Sequence, residues 1–147
     1  DWVSSLGADH VVDYKSGDIL KGLMEAAPQG IDVYFDNVGG DHLDAAFAVA
    51  KDRARFAECG MIGGYNDTDP MCFRYIIRII AMGINVRGFL YGQYVPRLAE
   101  FHGDMGELVA SGKVKAQETV FEGLETTPQA FLGLFSGANT GKMLVRI

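Results

Sequence analysis

The hydrophobic positions fall into two alternating patterns. Short β-branched or aromatic runs at His10-Val11-Val12-Asp13-Tyr14, Asp32 to Asn37, Ala54 to Cys59 and Asn85 to Tyr91 have strand character. Between them lie stretches with helical character. Asp18 to Ala27 carries Ile19, Leu20, Leu23 and Met24 at roughly helical spacing with Pro28 just beyond, Asp41 to Lys51 is rich in alanine, and Pro70 to Met82 is the third. Strands alternating with helices imply a parallel sheet, because parallel neighbours need crossovers and crossovers lay helices on the sheet faces. The expected fold is α/β, a doubly wound parallel sheet covered on both faces.

The opening Asp1-Trp2-Val3-Ser4-Ser5-Leu6-Gly7 reads as the last turns of a helix stopped by Gly7, so the chain is expected to begin inside an element. A longer helix is expected from Val95 to Ser111, with Leu98, Phe101, Met105, Leu108 and Val109 on one face and Gly112 as its cap. The rhythm then changes. Lys115 to Phe121 is strand-like, Pro128 to Phe135 a short helix, Ser136 to Gly141 a loop and Lys142 to Ile147 a final strand. A boundary near Gly112 or Lys113 is expected, the last part serving a different sheet from the first.

Composition narrows the classes of function. With 147 residues, 48% hydrophobic and 22% charged, the chain suits one ordinary globular core. Its most apolar stretch, Tyr75 to Met82, is broken by Arg78 and is far shorter than the about 20 residues a bilayer span needs, so no membrane partner is expected. A net charge of -6 without a basic run argues against nucleic acid but leaves room for a phosphorylated cofactor held by backbone amides. Cys59 and Cys72 form neither a CxxC pair nor a cluster with histidine, so neither a disulfide framework nor a metal site is expected, and the cytoplasm is the default compartment.

Two glycine turns carry the candidate chemistry. Asp36-Asn37-Val38-Gly39-Gly40 follows one strand and Cys59-Gly60-Met61-Ile62-Gly63-Gly64-Tyr65-Asn66 the next. Each alone is equally an ordinary βα turn, but turns on consecutive parallel strands open on the same carboxyl edge, where such sheets collect ligands. His10, His42 and His102 are scattered and neighbour no nucleophile elbow, so a hydrolase triad is unsupported, and His42 reads as a solvated residue. Asp32, Asp36, Asp41 and Asp44 read as helix-start and strand-edge groups.

The run Gly30 to Gly40, with its Tyr34-Phe35-Asp36-Asn37-Val38-Gly39-Gly40 end, closely resembles a signature of the zinc-independent medium-chain dehydrogenase/reductase superfamily. The particular likeness is to the leukotriene B4 12-hydroxydehydrogenase, or prostaglandin reductase, family, which includes alkenal double-bond and curcumin reductases. Cys59 to Asn66 and Ala130 to Lys142 agree in order and spacing.

The resemblance implies that residues 1–112 are the C-terminal part of a Rossmann-like NADP-binding domain and that 113–147 return to a GroES-like substrate domain as its closing helix and strand. It places the glycine-rich phosphate loop and the cofactor-selecting basic residue upstream. The implied activity is NADPH-dependent reduction of the carbon–carbon double bond of α,β-unsaturated aldehydes or ketones, in a homodimer formed through the nucleotide-binding domain, with the chain alone inactive.

Residue by residue, Tyr14 matches a contact to the adenosine part of the cofactor, and Asn37 an amide contact beside the Gly-Gly turn. Cys59, Gly60, Met61, Ile62, Gly63, Gly64 and Tyr65 match the loop along the nicotinamide half. Phe89, Leu90 and Tyr91 match the strand end that holds the carboxamide, and Asn139 a late contact. Tyr65 is the one candidate catalytic side chain, its hydroxyl donating to the substrate carbonyl as hydride arrives, with closure of the loop over the ribose as the open alternative. A quinone reductase on the same crevice, or a non-catalytic module dimerising through the edge strand Val86 to Tyr91, are the competing readings.

Overall fold

The computed structural model describes residues 2–147, and its first element is a short helix, α1 (Trp2–Ser5), ended where Gly7 takes a φ of 97°. Asp1 lies outside the described residues. Helix α2 (Ile19–Ala26) starts at Asp18, whose carboxylate accepts the Lys21 amide at 2.8 Å and satisfies a donor that the first turn leaves unpaired. Strand β1 (Ile31–Asp36), helix α3 (Gly40–Val49), strand β2 (Ala50–Glu58), the short helix α4 (Arg78–Ala81) and strand β3 (Asn85–Gly88) follow.

The three strands form one parallel sheet in the order β1-β2-β3. Tyr34, Phe56 and Val86 stand in register across it, as do Asp36, Glu58 and Gly88. The alanines of α3 let the helix sit close to the strands. Leu43, Ala46 and Phe47 meet Ala50, Ala54, Phe56 and Ile84 in the core, with the Phe47 and Phe56 rings stacked at 5.2 Å. Helix α2 packs against α3, and α3 against α4.

Several expectations change. His10 to Tyr14 is not a strand, since no described strand lies alongside it to complete a ladder. Of the helix expected over Pro70 to Met82 only Arg78–Ala81 forms. Phe73 and Tyr75, two residues apart, are both drawn to the core, and the Tyr75 amide is taken by the Asp44 carboxylate at 2.9 Å. Strand β3 stops at Gly88 because its neighbour β2 ends at Glu58. Residues 91–97 turn instead into a 3-10 helix.

Val33 and Phe35 alternate away from the helix layer and are 56% and 59% exposed.

By compactness the chain divides between Pro96 and Arg97. The second unit opens with α5 (Leu98–Ala110) and contains a parallel pair, β4 (Glu118–Glu122) and β5 (Lys142–Arg146). These strands are joined through a 3-10 turn and α6 (Thr127–Ser136), which packs on β5. Helix α6 ends in left-handed Gly137, at a φ of 67°.

Phe56 is the largest apolar side chain at the centre of the first unit. Phe56→Ala is expected to destabilise the fold by about 3–5 kcal/mol, read as a lowered midpoint of urea unfolding at unchanged slope.

Candidate cofactor crevice

The carboxyl ends of β1 and β2 are built around Asp36, which is 1% exposed. Its Oδ1 accepts the Val38 amide at 2.8 Å and the Gly39 amide at 3.1 Å, and its Oδ2 lies 3.1 Å from the same Gly39 nitrogen. Its backbone carbonyl accepts the amides of Cys59 and Gly60 at 2.8 and 3.2 Å. One residue therefore ties both glycine turns to the strand ends. The turns also bond to each other, the Ile62 amide to the Asn37 carbonyl at 3.0 Å and the Gly63 amide to the Val38 carbonyl at 2.9 Å.

Glycine is required at Gly39 for two reasons. Its φ of 69° and ψ of -155° lie in a region that side chains exclude, and an added Cβ would come 2.9 Å from the Met61 side chain. Gly63 approaches so closely that a Cβ would lie 2.9 Å from the Val38 carbonyl oxygen. Gly40, by contrast, faces open space, with nothing within 4 Å of an added Cβ.

The structure thus brings Asn37, the Gly39-Gly40 turn and the loop from Cys59 to Tyr65 to one edge. Asn37, Ile62, Gly63 and Tyr65 are exposed there, whereas Cys59, Gly60, Met61 and Gly64 are half-buried. The Tyr65 ring folds back so that its hydroxyl accepts the Met61 amide at 3.3 Å. Phe89 joins the same edge, its amide bonding the Glu58 carbonyl at 3.1 Å, while Leu90 and Tyr91 continue outward as exposed side chains.

Tyr14 stands at the start of α3, its ring meeting His42 edge-on at 5.0 Å, and lines a cleft of about 300 Å³ with Asp18, Asp41, Asp44 and Arg74. His42 is accordingly half-buried rather than solvated. Asn139 belongs to the second unit, where its Nδ2 bonds the Gly141 carbonyl at 2.6 Å between α6 and β5.

Two of the acidic residues differ from their sequence reading. Asp32 is a surface group paired with Lys51 at 2.8 Å, but Asp36 and Asp44 are buried acceptors of backbone amides. Glu58, to which the sequence reading assigns no role, is 8% exposed and in register with Asp36. Burial first, then the Asp36 charge and a hydrogen bond to it, push its carboxyl up to about 7. Burial, followed by the Asp36 charge, likewise raises the Tyr34 hydroxyl well above its usual range. The missed signal was positional: parallel strands ending in Asp36-Asn37 and Glu58-Cys59 set two carboxylates side by side.

A parallel sheet with glycine turns at its carboxyl edge, one of them opening a helix, is the architecture of α/β dinucleotide-binding domains. The model of the family described as zinc-binding dehydrogenase matches residues 6–145, and the chain belongs to that family. Among the described residues no three His, Cys, Asp or Glu side chains converge as metal ligands.

The NADPH-dependent curcumin reductase of Escherichia coli is 34% identical over 97% of this chain and 43% of its own length. The NADP(+)-dependent 2-alkenal reductase of Nicotiana tabacum is 37% identical over 98% of this chain and 42% of its own. The solved structure of CurA from Vibrio vulnificus in complex with NADPH superposes with a TM-score of 0.87, at 36% identity over 98% of this chain and 44% of that one. The chain therefore spans less than half the length of the relatives it matches.

Substituting Gly39 by alanine is expected to cost about 1–3 kcal/mol of stability, because only glycine is at ease with that backbone. Gly40→Ala, also at a left-handed φ of 53° but without a clash, should cost less. Urea unfolding of the two variants beside the wild type tests the order.

Proposed function

We propose that the protein is an NADPH-dependent reductase of the carbon–carbon double bond in α,β-unsaturated aldehydes or ketones. The observation that carries this is the 34% and 37% identity, over nearly the whole chain, to reductases named for curcumin and for 2-alkenals. In this reading residues 1–112 belong to the nucleotide-binding domain and 113–147 to the substrate domain, and the protein is a cytoplasmic homodimer. Among the described residues β1 pairs with β2 alone, and its other edge would take further strands of the nucleotide-binding sheet.

The residues present suit a dinucleotide. Gly40 leaves room for close approach, the amide-rich turn at Val38 and Gly39 opens α3, and Ile62, Leu90 and Tyr91 offer exposed apolar surface for a flat ring. When bound, NADPH supplies the hydride that goes to the substrate β carbon. Asn37 and the backbone of the Cys59 to Tyr65 loop hold the nicotinamide half against the sheet edge, and Phe89 to Tyr91 orient its carboxamide. Tyr14 contacts the adenosine half, and Asn139 is a further cofactor contact.

Tyr65 is the residue for chemistry. Its hydroxyl, anchored as acceptor of the Met61 amide, keeps its own proton free to donate to the substrate carbonyl as enolate character develops. The proton that completes reduction reaches the α carbon from solvent or a cofactor ribose hydroxyl, so no dedicated acid is needed.

The test uses the full-length protein, following NADPH oxidation with an alkenal and with a quinone. Preference for the alkenal supports the reading, preference for the quinone replaces it with quinone reduction, and oxidation with neither leaves a non-catalytic module. Tyr65→Phe is expected to lower kcat about a hundredfold with little change in NADPH affinity. A weakened NADPH affinity at unchanged kcat would instead make Tyr65 a loop-closing residue.

A further inference from the structure

Asp36 and Glu58 end neighbouring parallel strands in register, both are buried, and their oxygens are treated differently. Those of Asp36 are taken by the Val38 and Gly39 amides. Neither carboxyl oxygen of Glu58 meets a donor. Two adjoining carboxylates shielded from water resist carrying two charges, and a carboxyl that keeps its proton becomes the donor its neighbour can use.

We infer that Glu58 is a positioning residue of the crevice: protonated, it donates a hydrogen bond to Asp36 and steadies the carboxylate that fixes the Val38-Gly39 turn, and ionised, it loosens that turn. The consequence for NADPH rests on the function proposed above, whereas the coupling of Glu58 to the turn rests on the strand register and burial alone.

The surroundings leave Glu58 little else to answer to. From β1 it faces Asp36 and Tyr34, whose hydroxyl is also hydrogen-bonded to Asp36 and feels the charges of both carboxyls. β3 sets Gly88 in register with it, and Arg55 and Arg87 occupy the alternate positions that point to the other face. On α3, Asp41 is exposed, Asp44 is engaged by the Tyr75 amide and His42 by the Tyr14 ring. Tyr65, across the turn, spends its acceptor on the Met61 amide.

The sign follows from the raised value. Glu58 goes from 4.5 to about 7 on folding, so the stabilisation is complete below about 4.5 and is lost as pH rises through about 7. The turn is firmest, and NADPH held best, on the acidic side of neutrality.

The experiment is a titration of the full-length protein from about pH 5 to about pH 8.5, following the Glu58 carboxyl carbon and the Gly39 amide by NMR, with NADPH affinity measured alongside. Expected are a shared midpoint near 7, a Gly39 response abolished in Glu58→Gln, and a wild-type affinity that falls roughly five- to tenfold relative to that variant as pH rises. Taking the ratio to the variant removes titration of the cofactor's own phosphate, whose pKa is roughly 6. Should Glu58→Gln fail to fold, Glu58→Leu provides the uncharged comparison.

A Glu58 midpoint below about 5, or a Gly39 response that survives removal of the carboxyl, overturns the inference. Absence of NADPH binding at every pH overturns the cofactor reading instead and leaves the Gly39 amide to decide the coupling.

Discussion

The carboxylate of Asp36 is the interaction on which the crevice depends. Hydrogen bonds to a charged acceptor are worth about 1.5–3 kcal/mol each, more than a neutral pair, and a buried amide left without one costs about as much. Asp36 provides such bonds to the first glycine turn through its side chain while its backbone carbonyl receives the second turn at Cys59 and Gly60. The two loops are consequently placed relative to each other by a single buried residue.

That residue can be buried only because the rest of the first unit excludes water from it. Small side chains on α3 bring the helix down onto β1 and β2, and the stacked Phe47 and Phe56 fill the layer between. Arg78 closes the opposite end of the same layer, donating to the carbonyls of Phe47 and Ala50 at 2.8 and 3.0 Å. Packing of this density fixes the strand register, and the register sets Glu58 beside Asp36.

What could be read in advance divides along physical lines. Elements whose pattern is local were legible: α2 from its apolar spacing with Pro28 just beyond, β1 from its β-branched and aromatic run, and α6 as the short helix over Pro128 to Phe135. Elements that depend on neighbours were not. His10 to Tyr14 has strand composition but no ladder partner, and the run after Pro70 has apolar residues that the core claims at Phe73 and Tyr75 before a helix can take them. The site divides in the same way. Glycine turns at Gly39 and Gly60 to Gly64 stand out as composition, whereas a buried carboxyl pair exists only once register places Asp36 opposite Glu58.

The same division bears on specificity. The groups that build this edge are mainly backbone amides and carbonyls together with glycines chosen for closeness, and such groups recognise a shape common to all users of one cofactor. Few side chains project from it. Ile62, Tyr65, Leu90 and Tyr91 are the exposed large ones, and of these only the two tyrosines carry a hydroxyl. A stretch so constructed can be shared, at 34% and 37% identity, by reductases named for curcumin and for 2-alkenals. Under the function proposed above, discrimination between such substrates falls to the exposed side chains at this rim, because a hydrophobic wall that gains or loses one methylene shifts preference by about 1–3 kcal/mol without disturbing the amide framework beneath.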